Sequence, residues 1–261
     1  MRHGHVHLPS GRHRLRMVDG SPPVVVKRGH AASIAREARG LQLAQAAPCA
    51  ARFAGAAPGE LRTLLVDGAP RTARAIGPGD AATLGRALRQ AHEVRRTRSG
   101  GLPSWRSRAR DLAAYRRRRT ADALAASGPD APLAARVAES LPPLPPLPPA
   151  PDLPFRLLHG DLTLDNVVWD PAPRLVDWEF WRMGDPAEDL AYLAEVNALP
   201  APLVDAVLDG YGAPDVAARV DGWRALCALD AGLWYRDAGE ASRARRLLRR
   251  ASTLARDPTA R

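Results

Sequence analysis

The chain has 261 residues and a formal net charge of +10, so it is long enough for one large domain or two smaller lobes. No apolar run reaches the ~18 residues that a bilayer-spanning helix needs, and the N-terminus has no apolar core of a secretory signal. The composition therefore argues against a membrane protein, and we expect a cytoplasmic location. Cys49 and Cys227 lie far apart in apolar surroundings, which predicts buried thiols rather than a disulfide.

The first 68 residues contain five short segments with the alternation and turn residues of β-strands. These are an N-terminal edge strand with His3, His5 and His7 on one face, then Leu15–Val18, Val24–Lys27, Arg52–Gly55 and Leu61–Asp67. The alternating histidines could hold a transition metal, but no fourth ligand is defined, so we predict a polar edge strand there.

The third predicted strand ends on Lys27, the only lysine in a chain rich in arginine. A helix follows, with Ile34, Ala38 and Leu41 at helical spacing and Glu37 within it. Most lysines and glutamates are exposed and unpaired, which is the simpler interpretation of these two residues. The motif described below makes a buried Lys27–Glu37 pair the better prediction.

Further helices are predicted along the chain from capping residues and apolar spacing. Asp80 is predicted to cap a helix that ends at His92, and the last three helices are predicted over Pro202–Tyr211, Pro214–Arg236 and Glu240–Arg256. We interpret His92 as a packed residue at a helix end. Residues 142–154 hold eight prolines and predict a stiff polyproline II connector, although a proline-rich peptide ligand is also formally possible.

Ten arginines lie between Arg95 and Arg119, against the single acid Asp111. They could form a nucleic-acid or membrane-surface patch, or they could cover a solvated helix and reflect the arginine-rich composition. No aromatic-rich RNA-binding signature or zinc-ligand spacing accompanies them, so we favour the second interpretation and do not expect a nucleic-acid partner.

The most informative stretch is His159 to Trp178, HGDLTLDNVVWDPAPRLVDW. It places His159, Asp161 and Asn166 in the order H-x-D-x-x-x-x-N and then Asp177 behind a short apolar pair, which is the spacing of a kinase catalytic loop and its metal-binding aspartate. The intervening residues predict a β-hairpin that brings Asn166 beside Asp177.

The chemistry of phosphoryl transfer explains these residue types. A carboxylate, here Asp161, orients the attacking hydroxyl, and hard oxygen ligands, here Asn166 and Asp177, hold Mg²⁺ against the phosphates. The alternative interpretation is that His159-Gly160-Asp161 is an ordinary glycine-containing turn and that Asp177 is a surface carboxylate. Four polar residues at fixed spacing around a predicted hairpin favour the functional interpretation.

Glycine follows the histidine, Asp-Trp-Glu stands at 177–179, and Gly184-Asp185-Pro186-Ala187-Glu188-Asp189-Leu190-Ala191 follows. Over about residues 155–195 the chain therefore resembles the aminoglycoside phosphotransferase and choline kinase group of small-molecule kinases. The resemblance implies an α+β, protein-kinase-like fold with two lobes. The N-lobe, residues 1–68, would be a small antiparallel β-sheet with one helix, and the C-lobe, residues 69–261, would be mostly helical.

The same resemblance implies where ATP binds. Lys27 would contact the phosphates and pair with Glu37, and the hinge with Val66 and Gly68 would receive adenine through backbone groups. One departure is that no G-x-G-x-x-G precedes Lys27, which implies less backbone cover over the phosphates.

In the C-lobe, the resemblance implies that Asp161 orients the substrate hydroxyl and that His159 braces the loop rather than titrating. Asn166 and Asp177 would be the Mg²⁺ ligands. Asp189 would tie its helix to the catalytic region.

The expected acceptor is a small molecule with a hydroxyl group, such as an aminoglycoside, an amino-alcohol or a sugar. A cationic acceptor could meet the residues Glu179, Asp209, Asp230, Trp234 and Tyr235. Two alternatives stay open at this point. One is a nucleotide-binding pseudokinase used as a scaffold, and the other is a basic nucleic-acid-binding protein, which leaves the polar spacing at 159–177 unexplained.

Overall fold

The computed structural model describes residues 14–94, 105–143 and 156–260, with side chains in the arginine-rich helix described from residue 114 onward. The predicted strand with the three N-terminal histidines lies outside the described residues. So do much of the arginine-rich segment and most of the proline-rich connector.

Nine strands and eight α-helices lie in these described ranges. The strands are β1 (Arg14–Val18), β2 (Val24–Arg28), β3 (Phe53–Ala57), β4 (Glu60–Leu64), β5 (Ala69–Pro70), β6 (Arg156–Leu158), β7 (Val167–Asp170), β8 (Ala172–Leu175) and β9 (Arg182–Gly184). The helices are α1 (Ala31–Ala44), α2 (Pro78–His92), α3 (Trp105–Leu124), α4 (Ala131–Ser140), α5 (Pro186–Val196), α6 (Ala201–Tyr211), α7 (Pro214–Asp237) and α8 (Ala241–Arg256).

The N-terminal sheet is antiparallel, with the strand order β1-β2-β4-β3. It contains four of the five predicted strands. The predicted strand over Leu61–Asp67 ends early, at Leu64. The amide of Leu65 still donates to the carbonyl of Pro23 at 2.9 Å, but the chain then leaves the sheet, and β5 pairs with β7 instead.

Two smaller sheets carry the central motif. The strands β5, β7 and β8 form one sheet, and β6 pairs with β9 in the other. The hairpin β7–β8 has the predicted position, with Val167 opposite Leu175 and Asp170 opposite Ala172. Its turn is therefore tighter than the four residues that the sequence suggested.

The start of α2 corrects one prediction. The N-cap is Gly77 rather than Asp80, and Pro78 occupies the first helical turn. The carboxylate of Asp80, three residues into the helix, accepts the Gly77 amide at 3.1 Å. Proline has no amide to leave unpaired at that position, and an acidic side chain there satisfies the N-cap amide, so both residue types favour the earlier start.

Helices α2 and α6 approach each other through glycines. A Cβ on Gly85 would lie 2.1 Å from the carbonyl oxygen of Val207, and one on Gly210 would lie 2.0 Å from that of Ala82. Real Cβ atoms essentially never come this close, so only glycine permits the contact. This close approach brings Tyr211 of α6 against α2, where its hydroxyl contacts His92 Nδ1 at 3.1 Å.

The chain forms two compact units. The first comprises the described parts of Met1–Arg95, Phe155–Asp189 and Pro202–Gly212, and it contains the three sheets with α1, α2 and α6. The second comprises the described parts of Arg96–Pro154, Leu190–Ala201 and Ala213–Arg261. The lobe division at residue 68 stays a prediction.

The second unit is helical, and alanine and leucine side chains from α3, α4, α7 and α8 form its apolar core. Glu195 is buried there and holds two arginines, with Arg224 Nε at 2.5 Å and Arg250 Nε at 2.8 Å. The three predicted C-terminal helices are confirmed with ends within one residue. In the part of the chain that the structure describes, no helix is both long and apolar enough to span a membrane.

Gly85→Ala should destabilise the protein by about 2 kcal/mol, because the new methyl group overlaps the α6 backbone. Gly79→Ala is the matched control on the same helix, since a Cβ there meets no atom within 4 Å. We expect that control to be neutral or slightly stabilising, because alanine has the higher helix propensity. Urea denaturation of both variants measures the difference, and equal midpoints would contradict the close approach of α2 and α6.

Candidate active site

The only lysine of the chain joins two carboxylates. Lys27 Nζ lies 2.8 Å from Glu37 Oε2 and 2.9 Å from Asp177 Oδ1. Strand β2 supplies the lysine, α1 supplies Glu37, and Asp177 follows β8. The side chains of Lys27 and Glu37 are only 9% and 5% exposed, whereas that of Asp177 is 33% exposed. The predicted Lys27–Glu37 pair is thus present, and its lysine also contacts Asp177.

Burial and charge act against each other in this group. Burial lowers the pKa of Lys27, but the charges of Asp177 and Glu37 outweigh it and raise that pKa above 10.5. Lys27 therefore stays an ammonium ion. Burial raises the pKa of Glu37 to about 7, and the negative charge of Asp177 adds to this effect while Lys27 opposes it. One ammonium ion thus serves two carboxylic groups, of which Glu37 is partly protonated near neutral pH.

The hairpin brings Asn166 and Asp177 close in space, as predicted. The amide of Val176, which directly precedes Asp177, donates to the backbone carbonyl of Asn166 at 3.0 Å. Asp177 itself has φ 61° and ψ 65°, the left-handed conformation that few non-glycine residues adopt. Such conformations often occur at functional sites, where the surrounding structure holds them.

Asp161 and Asn166 are hydrogen-bonded to each other. The amide nitrogen of Asn166 donates to the carboxylate of Asp161 at 3.1 Å and to its backbone carbonyl at 2.8 Å. With the nitrogen used in this way, the amide oxygen is the atom of Asn166 that can act as a cation ligand. Asp161 is half-buried.

Both ring nitrogens of His159 contact the backbone. Nε2 donates to the carbonyl of Val176 at 2.7 Å, and Nδ1 accepts the amide of Asp161 at 3.3 Å. These partners require a neutral ring with its proton on Nε2. The ring also packs against Trp178, with 4.8 Å between ring centroids. His159 is therefore placed to brace the loop against the residue before Asp177.

A third acidic residue joins the group that could hold a cation. Among the described residues, carboxylate oxygens of Glu37, Asp177 and Glu179 all lie within 4.8 Å of one another. Asn166 and Asp177 were the predicted metal ligands, and Glu179 was predicted near the acceptor. Glu179 reaches the group through the short 3₁₀ turn after Asp177, which no sequence pattern indicated.

Asp189 anchors the start of the loop that runs from His159 to Asn166. Its fully buried carboxylate accepts the amides of His159 at 2.7 Å and Gly160 at 3.0 Å. It also contacts His92 Nε2 at 3.2 Å, and His92 Nδ1 contacts the Tyr211 hydroxyl at 3.1 Å. The packed role predicted for His92 agrees with this position. Tyr211 was missed because only the close approach of α2 and α6 brings it to His92.

Arg182 lies against the catalytic loop as well. Its guanidinium donates to the buried Glu188 at 2.6 Å and approaches the carbonyls of Gly160 and Phe180 at 3.4 Å. Gly160 has φ +83°, and a Cβ there would lie 2.4 Å from the Arg182 guanidinium. Glycine after the histidine thus leaves room for an arginine that arrives from β9.

The predicted hinge lies between β4 and β5. Val66 is half-buried and Gly68 is exposed, and neither belongs to a strand. Gly68 has φ +97°, which suits the sharp bend that leads into β5. Its role in adenine binding stays a prediction.

The residues considered for the acceptor lie in both compact units. Glu179 and Asp209 belong to the first unit, and the other three belong to α7 of the second. Within the second unit, Asp230 accepts the Tyr115 hydroxyl at 2.5 Å and pairs with Arg119, while Trp234 is 45% exposed. Their part in acceptor binding stays a prediction.

A model of the phosphotransferase enzyme family matches residues 9–229. The chain belongs to this family. A protein from Thermobifida fusca YX-ER1 assigned as a fructosamine-3-kinase shares 25% identity with this phosphotransferase and has a TM-score of 0.66, with 97% of this chain and 92% of that chain covered. No curated protein sequence matches the chain at a significant level.

Two further solved structures share the fold of this phosphotransferase. A choline/ethanolamine kinase family protein from Mesorhizobium loti has 20% identity and a TM-score of 0.64, with 95% of this chain and 87% of that chain covered. The choline kinase LicA from Streptococcus pneumoniae, solved in complex with AMP, has 14% identity and a TM-score of 0.64, with 97% and 91% covered. The α+β, protein-kinase-like fold is confirmed, and the phosphotransferase is a small-molecule kinase.

Asp189→Asn should destabilise the phosphotransferase by about 3 kcal/mol at pH 7, because the carboxylate accepts two buried amides and its charge faces His92. Burial raises the pKa of Asp189, but the hydrogen bond and charge of His92, together with the charge of Arg182, bring it below 3.8. The stability from this depressed pKa is present above about pH 4 and is lost as the pH falls through the folded-state pKa.

The difference in unfolding free energy between the wild type and Asp189→Asn should therefore shrink on acidification below about pH 4. Urea denaturation between pH 7 and the lowest pH at which both proteins fold measures it. Asp165→Asn, an exposed aspartate in the same loop, is the control and should follow the wild type. A difference that does not change with pH would contradict the assigned role of the Asp189 charge.

Proposed function

We propose that this phosphotransferase transfers the γ-phosphate of ATP to a hydroxyl group of a small molecule, with Mg²⁺ as its cofactor. The contact of Lys27 with both Glu37 and Asp177 is the observation that carries the proposal. A buried ammonium ion between two carboxylates, one of which follows the hairpin that carries Asn166, suits an anionic phosphate chain that binds together with a cation.

The donor atoms available at the site fit magnesium. The amide oxygen of Asn166 and the carboxylate of Asp177 are hard oxygen ligands, and the carboxylate of Glu179 lies close to that of Asp177. Bound Mg²⁺ supplies positive charge that neutralises the phosphates and the charge that develops during transfer. Lys27, on β2, is proposed to contact the phosphates, and Glu37 keeps its ammonium group in place.

Asp161 is the group proposed to orient the acceptor hydroxyl and receive its proton. Its hydrogen bond with Asn166 connects it to a proposed metal ligand, so that the hydroxyl and the phosphates are positioned by one loop. His159 holds this loop through the peptide of Val176 and the amide of Asp161. Adenine is proposed to meet the backbone of the hinge at Val66 and Gly68. Positioning and charge neutralisation then supply most of the rate enhancement.

The acceptor is proposed to be an aminoglycoside, an amino-alcohol or a sugar. The similar structures include a choline/ethanolamine kinase family protein and a protein assigned as a fructosamine-3-kinase. A cytoplasmic location is part of the same proposal.

A nucleotide-binding scaffold without turnover is the second candidate. The observation in its favour is the connection between β1 and β2, which reads Asp19-Gly20-Ser21-Pro22-Pro23 where a kinase has a glycine-rich loop. Incubation of the protein with MgATP and a panel of amino-alcohols, amino sugars and aminoglycosides separates the two functions. Acceptor-dependent release of ADP supports the kinase, and MgATP binding without any release supports the scaffold.

Asp161→Ala should lower turnover by about 10²-fold or more, because the variant lacks the group that orients and deprotonates the hydroxyl. Nucleotide affinity should change little, since Asp161 is not proposed to contact ATP. The matched control is Asp165→Ala, which alters an exposed carboxylate of the same loop and should keep wild-type turnover. Wild-type rates in Asp161→Ala would exclude the assignment.

Asp177→Asn should weaken binding of MgATP at least tenfold, because an amide is a poorer magnesium ligand than a carboxylate. The measurement is the thermal shift produced by ATP with and without Mg²⁺. In the wild type Mg²⁺ should enlarge the shift, and in the variant this increment should be lost. Asp170→Asn, at the exposed turn of the same hairpin, should retain it, and an equal increment in Asp177→Asn would rule out the metal role.

A further inference from the structure

The segment directly after Asp177 is fastened to helix α1. Arg36 Nε donates to the carbonyl of Glu179 at 2.8 Å, and its Nη2 donates to the carbonyl of Trp181 at 3.0 Å. The indole Nε1 of Trp181 donates back to the carbonyl of Arg36 at 2.7 Å. The two elements thus exchange three hydrogen bonds, although 145 positions separate Arg36 from Trp181 in the chain.

The third part of this contact is a glycine. A Cβ on Gly40 would lie 2.2 Å from Cδ1 of Trp181 and 2.9 Å from the backbone carbonyl of Trp178. The indole and the segment backbone therefore lie directly against the main chain of α1, one turn beyond Arg36. Any side chain at position 40 would displace them.

This contact adjoins the residues of the proposed phosphate site along the chain. Glu37 is the next residue after Arg36 in α1, and Asp177 stands just before the fastened segment. The carboxylates of Glu37 and Asp177 both contact Lys27, at 2.8 and 2.9 Å. Helix α1, Lys27, Asp177 and the segment after it consequently form a closed ring of contacts, so the backbones of α1 and of this segment cannot separate without breaking the hydrogen bonds between them.

An exposed arginine that pairs with a surface carboxylate contributes little to stability, and Arg36 is exposed. Its contact differs from that case in two respects. Both of its hydrogen bonds end on backbone carbonyls rather than on mobile side chains, and the indole returns a third bond to the same residue. The planar guanidinium can hold two acceptors at fixed geometry, which a lysine cannot do.

We propose that Arg36, Gly40 and Trp181 form a clamp that keeps Lys27, Glu37 and Asp177 assembled for MgATP. The three clamp members are positioning residues, since they act through Glu37 and Asp177. Protein kinases control activity by the placement of the helix that bears the glutamate, so a fixed helix gives a site that is ready without a closing movement. The inference rests on the proposed function for its link to MgATP, while the clamp itself is a property of the protein alone.

Three variants test the clamp. Trp181→Phe removes the indole donor and keeps an aromatic ring, Arg36→Gln removes the guanidinium, and Gly40→Ala inserts a methyl group under the indole. Arg39→Gln is the matched control, because Arg39 is exposed on the same helix.

The first measurement is hydrogen exchange of the protein without nucleotide, followed by mass spectrometry. In the three clamp variants, exchange should become faster both in α1 and in residues 178–184, whereas the β7–β8 hairpin and the Arg39→Gln variant should match the wild type. Faster exchange in only one of the two elements, or in neither, would overturn the clamp.

The second measurement is the dissociation constant of MgATP by calorimetry, at a temperature where every variant is folded. Trp181→Phe and Arg36→Gln should each raise it about three- to tenfold, the size expected from the loss of one or two hydrogen bonds. The double variant should show less than the product of the two effects, because both residues act through one contact.

Unchanged MgATP affinity in both single variants, beside a wild type that binds, would leave the clamp a purely structural feature and would overturn its positioning role. A wild type that fails to bind MgATP would remove the proposed function and, with it, the positioning role for MgATP. Hydrogen exchange would still decide whether the clamp exists, so the two failures can be told apart.

Discussion

The structure of the site depends on a buried ammonium ion that needs partners. Lys27 is 7% exposed, and a charge removed from water to this extent is stable only if it is paired and hydrogen-bonded. One partner comes from α1, ten positions along the chain, and the other comes 150 positions later, after β8. Through Lys27, the correct positions of β2, α1 and the β7–β8 hairpin therefore depend on one another.

The rest of the site is held by backbone groups rather than by pairs of flexible side chains. His159 bridges the Val176 carbonyl and the Asp161 amide, and Asp189 receives the amides of His159 and Gly160. The bonds to the Asp189 carboxylate are charge-assisted, and together with the bonds of His159 they hold the loop from two sides. Asp161 can then stay accessible on a rigid support, which is the arrangement that precise positioning of a reacting hydroxyl requires.

The hairpin could be predicted from the sequence because its signals are local, whereas the Lys27–Glu37 pair was predicted from the kinase-like motif more than a hundred positions further along the chain. Strand alternation, a proline-containing turn and fixed polar spacing were sufficient for the hairpin. Contacts between distant segments carried no such signal: nothing in the sequence connects Trp181 with Arg36, or Tyr211 with His92, since glycines set both approaches and glycines have many other uses. The early end of β4 also depends on a contact between distant segments, because the chain after β4 pairs with β7 of another sheet.

A pre-assembled site would compensate for the lack of a glycine-rich loop before Lys27. Pro22 and Pro23 have no backbone N–H, so the β1–β2 connection can give few amide donors to a phosphate chain. In the proposed function, affinity must then come from Lys27 and the magnesium ligands. These groups act most effectively when no free energy is needed to order them, because the cost of ordering is subtracted from the free energy of binding. The ring of contacts that joins α1, Lys27 and Asp177 removes much of this ordering cost before the nucleotide arrives.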